Sequence, residues 1–385
     1  MRGFSHDEFR QRLDKAQFLM REQGMNLMLL TSEPEIRYFS GFDSALWQSP
    51  TRPWFLLIPV YGEPVAVIPS IGEGVMRRTW LSHIRTWPSP QPDDEGISLL
   101  KKTIQEMVGS KAIIGLSKGH ESTIRMPLQD LETLMAQLPG IHWVSCTPLL
   151  RTLRMIKSEQ EIKKLRQVSH IASHTFTQAT DLFHIEQPLN AAFRSFKIAL
   201  LQQGADDVPY LVGGAGQGGY SDVISPPSEQ AIESGDILML GTGASLDGYY
   251  CNIARNYAFT HASDQAQHAY HTLYQAIEMV LASLRPGVSC AQLYQTMQTA
   301  IESAGGSTEG LKRRMGHGLG MQLTEWPSCI PSDRTILRPN MVLTLMPNML
   351  LSKGKLMIHA ETILIHEEGV ELLSLRAPPE LPIIE

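Results

Sequence analysis

Apolar residues first recur at helical spacing. Phe9, Leu13, Ala16 and Met20 stand at i, i+4, i+7 and i+11 with Gly24 beyond them, which predicts a helix over Asp7–Gln23. Short apolar runs then alternate with further amphipathic stretches. Strands are expected over Asn26–Leu30, Trp54–Pro59, Pro64–Ile68, Ala112–Gly115 and Ile141–Val144. Helices are expected over Ile97–Met107 and Met126–Gln137. The Pro-rich stretch Trp87–Asp94 reads as an extended connection. This alternation is that of a small α/β domain ending near residue 150.

A second pattern begins at Arg151–Ile162. Ser158 with Glu161 three residues on forms a capping box, opening a long helix to about Asp181. A helix over Gln187–Gln203, a strand over Val208–Val212 and a glycine-rich loop over Gly213–Gly219 follow. That loop lacks the Lys-Ser/Thr of a phosphate-binding loop. In Ser234–Tyr257 an apolar strand, Ile237–Leu240, leads to a turn at Asp247-Gly248 and a second strand from Tyr249. Asp-Gly between apolar runs signals a hairpin, because glycine accepts the positive φ of the turn. Helices over Asp264–Leu284 and Ala291–Ala304 come next, then strands around Met341–Leu345, Lys355–Ile365 and Val370–Leu373. Helix, helix, strands thus occurs twice within 151–385.

Composition narrows the classes. The 385 residues are 43% hydrophobic and 19% charged, with a formal net charge of −6. No long basic block is present, which argues against nucleic-acid binding as the main role. No apolar run reaches the ~18 residues of a membrane helix. The charged start, MRGFSHDEFRQRL, does not read as a signal peptide. Cys146, Cys251, Cys290 and Cys329 form no Cys-x-x-Cys and read as free thiols. A soluble cytoplasmic protein is expected.

Five segments, in order, resemble one family. They are the Arg-x-x-Lys-Ser linker at Arg154–Ser158, the hairpin, Gly316-His317-Gly318-Leu319-Gly320 with Glu325-Trp326-Pro327, the strand MVLTLM at Met341–Met346, and MIHAETILI at Met357–Ile365. Together they resemble the creatinase/methionine-aminopeptidase ("pita-bread", peptidase M24) family. Tyr38-Phe39-Ser40-Gly41-Phe42 is similar to a stretch of its creatinase-type members. The resemblance implies an N-terminal creatinase-like α/β domain over 1–150 and a pita-bread domain over 151–385. It also implies a homodimer in which one subunit's N-terminal domain lies near the other's pocket.

The family's peptidases hold two metal ions through two Asp, one His and two Glu. Carried over, these positions are Gly241, Asn252, His317, Met346 and Glu361. Two assisting histidines become Thr324 and Tyr220. Glycine has no side-chain donor, Asn is neutral and a thioether suits hard ions poorly, so no metal and no cofactor are expected. Metal-free members, creatinase and the ectoine hydrolases, open small C–N-bonded substrates. By that likeness His317 would transfer protons, and Glu361 would position substrate or water or act as base. Tyr220, Asn252, Thr324, Glu325 and Met346 would line the pocket, and Trp47 and Arg52 would clamp a zwitterion. Cys251 reads as a small buried residue and Arg255 as a tie for the hairpin. The preferred reading is a metal-independent hydrolase of a small zwitterionic compound. The alternatives are an inactive pita-bread binding module, an Xaa-Pro peptidase-type hydrolase, and a lyase on a small osmolyte.

Overall fold

The computed structural model describes all residues except 1–2, 50, 309–310, 312 and 352–353. The chain divides into two compact units, Met1–Arg154 and Met155–Glu385.

In the first unit a helix, His6–Glu22, is capped by Ser5, whose hydroxyl accepts from Glu8 N. Six strands form one mixed sheet in the order His83–Trp87, Val65–Pro69, Phe55–Pro59, Leu27–Leu30, Ala112–Leu116, Ile141–Ser145. The central strands are buried on both faces, as their continuous apolar runs require. Two elements had no clear signal in the sequence. Strand His83–Trp87 is half-polar and lies at the sheet edge. Helix Glu33–Ser40 is only eight residues long and ends on Gly41 at φ 73°.

The second unit is built on two five-stranded sheets. The first has the order Ile383–Ile384, Ile253–Phe259, Asp236–Leu246, Asp207–Gln217, with Tyr249–Tyr250 also paired to Asp236–Leu246. The second has the order Glu325–Ser328, Gly316–Gly318, Val342–Leu345, Glu361–Ile365, Val370–Leu372. Helices Glu159–Phe176 and Leu189–Gln202 precede the first sheet, and Asp264–Ser283 and Cys290–Ser303 precede the second. Strand Asp236–Leu246 is buried at every position. Its Leu238 and Leu240 pack with Phe176, Phe193 and Phe196 of the first helix pair. Ile237 and Met239 point the other way, into the core that holds Tyr270, Leu273 and Ile277.

Two expectations are corrected. Gly213–Gly219 is not a loop from its start: the strand continues to Gln217, with Gly213 opposite Leu240 and Gln217 opposite Asp236. A Cβ on Gly213 would lie 1.9 Å from the Met239 carbonyl oxygen, so glycine here permits the close approach of two backbones. The stretch Lys355–Ile365 is not one strand. Leu356–Ile358 pairs with Asn348–Leu350, whereas Glu361–Ile365 pairs with Val342–Leu345.

The capping box at Ser158 forms, with Glu161 N donating to the Ser158 hydroxyl and Ser158 N to Glu161 Oε2 at 2.8 Å. The other oxygen, Glu161 Oε1, accepts from Tyr249 Oη at 2.9 Å. Lys164, one turn on, pairs with Asp247 of the hairpin turn. The long helix is thereby bolted to the tip of the hairpin. Removing a buried hydrogen bond to a carboxylate costs about 1.5–3 kcal/mol. Tyr249→Phe is therefore expected to lower stability by about 2 kcal/mol in urea unfolding, with an unchanged m-value.

Candidate functional site

The hairpin's second arm brings Asn252 to the junction of the two sheets. Its backbone carbonyl accepts from Thr344 Oγ1 at 3.1 Å and from Thr362 Oγ1 at 3.0 Å, both on the second sheet. Thr344 and Thr362 are cross-strand partners, and His317 is the partner of Thr344 on its other side. One row of the sheet therefore carries His317, Thr344 and Thr362 together, facing Asn252.

The His317 ring is oriented from both nitrogens. Nδ1 lies 2.8 Å from the Gly318 carbonyl, which can only accept, so Nδ1 carries the hydrogen. Nε2 then offers its lone pair and accepts from Asn252 Nδ2 at 3.1 Å. The same amide also reaches Met346 Sδ at 3.5 Å. Burial pushes the imidazole down to about 4, against the smaller opposite pull of the Gly318 carbonyl. His317 is thus neutral at pH 7, in a single tautomer.

Glu361 is a different case. Its backbone partner is Leu345, one residue along from Thr344, and Leu345 pairs in turn with Gly316. Successive residues of a strand point to opposite faces. Glu361 therefore points away from the face that holds His317. Its Oε2 accepts from Arg255 at 2.8 Å and from Ser374 Oγ at 2.5 Å. Its Oε1 accepts from Arg376 at 2.9 Å and from Ala377 N at 3.1 Å. Complete burial alone would raise this carboxyl, but the Arg255 charge and the His359 and Ser374 hydrogen bonds outweigh it and hold the group well below the usual carboxylate range. The expectation of Glu361 as a base or water-positioning group is corrected: a carboxylate held ionised and engaged on both oxygens is a poor proton acceptor. Arg255 is the hairpin tie that the sequence suggested, since it also donates to the carbonyls of Ala254, Ala360 and Leu375.

The other candidates fall into three groups. Asn252 and Met346 stand with His317. Glu325 and Thr324 belong to the neighbouring strand and its approach. The Glu325 carboxylate pairs with buried Lys157 at 3.2 Å and accepts from Gln322 N, whereas Thr324 is exposed. Tyr220 is buried among backbone groups. Its hydroxyl accepts from Ile358 N at 2.7 Å and donates to Asn256 Oδ1 at 2.9 Å, so it is not a pocket-lining group. Cys251 is fully buried and its thiol is pushed up to about 12 by desolvation, which removes it as a nucleophile.

In the N-terminal unit, Trp47 is buried against Phe42 and Trp54, with the Arg125 guanidinium 5.4 Å from its ring centroid. Arg125 also donates to the carbonyls of Leu46, Ser49, Thr51 and Arg52. This indole thus already holds a cation of its own unit, which corrects its reading as an open clamp. Arg52 is half-buried at φ 58°.

The donor set does not fit a pair of divalent ions. Gly241 offers nothing, although a Cβ there would meet only ordinary contacts, the nearest Val212 Cγ2 at 3.4 Å. Among the described residues no group of three or more His, Cys, Asp or Glu is placed to hold a metal. Thr344, Thr362, Ser374 and Arg376 were missed in the sequence. The two threonines were legible only once Met341–Leu345 and Glu361–Ile365 were known to pair in this register. Arg376, in a Pro-rich tail segment, carried no signal.

Known proteins place the chain. Residues 163–368 match metallopeptidase family M24, and residues 12–156 match the creatinase/prolidase N-terminal domain. An uncharacterized peptidase, YqhT, of Bacillus subtilis is 26% identical over 97% of this chain and 100% of its own length. An Xaa-Pro dipeptidase of Pyrococcus horikoshii is 26% identical over 69% of this chain and 75% of its own. Among solved structures, a prolidase from Thermococcus sibiricus superposes with a TM-score of 0.87 at 21% identity, covering 99% of this chain and 100% of that one. Dipeptidase PepE from Mycobacterium ulcerans gives 0.84 at 22%, covering 99% of each. With the family match spanning more than half of its length, this chain belongs to metallopeptidase family M24 and carries the family's creatinase/prolidase-type N-terminal domain.

Proposed function

We propose that the protein is a hydrolase that opens a C–N bond in a small, zwitterionic compound without a bound metal pair. The observation that carries this reading is the His317–Asn252 pair: a buried, neutral imidazole in one tautomer, standing where the sheets meet and hydrogen-bonded to an amide. With Nδ1–H fixed on the Gly318 carbonyl, Nε2 is the atom that receives a proton from water and returns it to the leaving nitrogen once the Asn252 amide turns from it to the substrate. The Asn252 amide N–H is the neighbouring donor for an oxygen of the substrate. Glu361 has no chemical step in this scheme; it holds Arg255 and so the hairpin. The substrate class rests on the likeness to creatinase and ectoine hydrolase. Soluble, cytoplasmic and homodimeric states are part of the same proposal.

A second reading is a catalytically inactive binding module of the same fold. The engaged state of Glu361 favours it, because a carboxylate tied to two arginines is not open to substrate or water. An Xaa-Pro peptidase, the activity named for the Pyrococcus relative, would need a metal-binding set that these residues do not supply.

The test is turnover of creatine, ectoine and an Xaa-Pro dipeptide, with and without chelator, alongside metal content. The expected result is hydrolysis of a zwitterion that chelator leaves unchanged. His317→Gln should lower kcat about 10²-fold or more, the usual contribution of a proton-transfer group. Saturable binding of a zwitterion without turnover would favour the binding module. Dipeptide hydrolysis that needs added Mn or Co ions would overturn both readings.

A further inference from the structure

We propose that Arg314, standing on Ser328, anchors a carboxylate of the compound bound at His317, so that the substrate carries its acid group a few bonds from the scissile C–N bond. This rests on the hydrolase reading above and adds to it the residue that selects the substrate.

The anchor follows from the register of the second sheet. Cross-strand partners place their side chains on one face. Ser328 is the partner of His317 on the side away from Thr344, so Ser328, His317, Thr344 and Thr362 form one row across four strands. Asn252 meets this row at its Thr344 and Thr362 end. Arg314 meets it at the other end, where Nη1 donates to Ser328 Oγ at 3.0 Å. Ser328 is buried and Arg314 half-buried. Asn348 fixes the Arg314 backbone, since its amide donates to the carbonyls of Arg314 at 3.4 Å and Met346 at 2.9 Å. The guanidinium is close enough to act on the ring: burial is the main cause that lowers His317, and the Arg314 charge adds to it.

Among the described residues no carboxylate lies within ion-pair distance of Arg314. The acids of the neighbouring strand and its turn are committed elsewhere. Glu325 pairs with Lys157, and Asp333 accepts from Ser328 N and Thr335 N on its two oxygens. A guanidinium has five N–H hydrogens and no acceptor, and Ser328 takes one of them. The group that fits the others accepts only, with two oxygens spaced for the fork, which is a carboxylate. An ammonium is repelled, and an alcohol or amide brings hydrogens that the guanidinium cannot accept. Neighbouring strands lie ~4.8 Å apart, so an acid held over Ser328 leaves the scissile bond over His317 and its oxygen towards Asn252.

The experiment measures binding, by calorimetry and ligand-observed NMR, and turnover of acids against their decarboxylated analogues. The pairs are creatine with N,N-dimethylguanidine, glycine betaine with tetramethylammonium, and N-acetylglycine with N-methylacetamide. At least one acid should bind saturably, with its analogue about tenfold weaker or worse. Arg314→Gln should weaken that acid about tenfold and leave the analogue unchanged. Arg314→Lys, which keeps the charge without the fork, should recover part of the loss and keeps the test readable if the first variant melts early. No saturable binding of any acid, equal binding of acid and analogue, or an acid preference that survives in Arg314→Gln would each overturn the anchor. Acid-selective binding that Arg314→Gln erases, without turnover by the parent, keeps the anchor and removes the hydrolase; turnover with a preference that survives in Arg314→Gln does the reverse.

Discussion

Glu361→Gln should destabilise the protein by about 3–5 kcal/mol, the cost of leaving buried charge without its partner. Buried Arg255 depends on this one carboxylate and Arg376 shares it with Glu278; it is 0% exposed and carries hydrogen bonds on both oxygens. Neutralising it leaves the buried Arg255 guanidinium without its counter-charge, while Arg376 keeps Glu278. Urea unfolding at pH 7 reads the effect, and Arg255→Met should produce a loss of similar size. A double mutant, Arg255→Met with Glu361→Gln, should be clearly less damaging than the sum of the singles, because the two residues share one interaction. A residue whose role is to bind water or substrate would give the opposite pattern, with activity lost and stability kept. A loss under about 1 kcal/mol for Glu361→Gln would show that the carboxylate is not the keystone of this cluster. The pH dependence has a definite sign. The folded-state value of Glu361 is depressed, so its stabilisation is complete above the ordinary value of 4.5 and is lost as the pH falls below it.

A second large effect is expected one pH window higher. His317 is lowered from 6.5 to about 4 by its burial. Between these values the unfolded chain binds a proton that the folded chain refuses, so folding stability falls as the pH is lowered from 6.5 towards 4 and is unaffected by this group above 6.5. At about 1.4 kcal/mol per unit, the loss is about 2 kcal/mol by pH 5 and on the order of 3 kcal/mol by pH 4. His317→Gln removes that component. The difference in stability between pH 7 and pH 5 should therefore be about 2 kcal/mol smaller in the variant than in the parent, measured by urea unfolding at both values. Equal pH dependence in the two proteins would place the His317 proton in contact with water and sink the buried-tautomer picture. The same property bears on the proposed chemistry: any hydrolysis that uses neutral His317 should hold its rate on the acid side down to about pH 4 and fall below it.

The sequence by itself determined most of the local structure. Helical spacing over Phe9–Met20, the capping box at Ser158 and Glu161, and the Asp247-Gly248 turn each encode a short-range event, and each forms at its expected place. The family is likewise legible, because its motifs are strings of neighbouring residues. The resemblance alone set Gly241, Asn252 and Met346 at the positions of metal-binding types, with no structure needed. Tertiary structure decided what the retained residues do. Motif position put Glu361 in the site, but the register that pairs it with Leu345 turns it to the other face of the sheet from His317. Its partner Arg255 lies 106 positions away in the chain and Arg376 lies 15 away, distances that no local pattern encodes. Trp47 was legible as an aromatic, but not as the seat of Arg125. The glycine run Gly213–Gly219 looked flexible because composition reports freedom of the backbone, whereas the neighbouring strand used that freedom for close packing. Periodicity fixes which face a residue takes within its own element; only the pairing of distant elements fixes what that face meets.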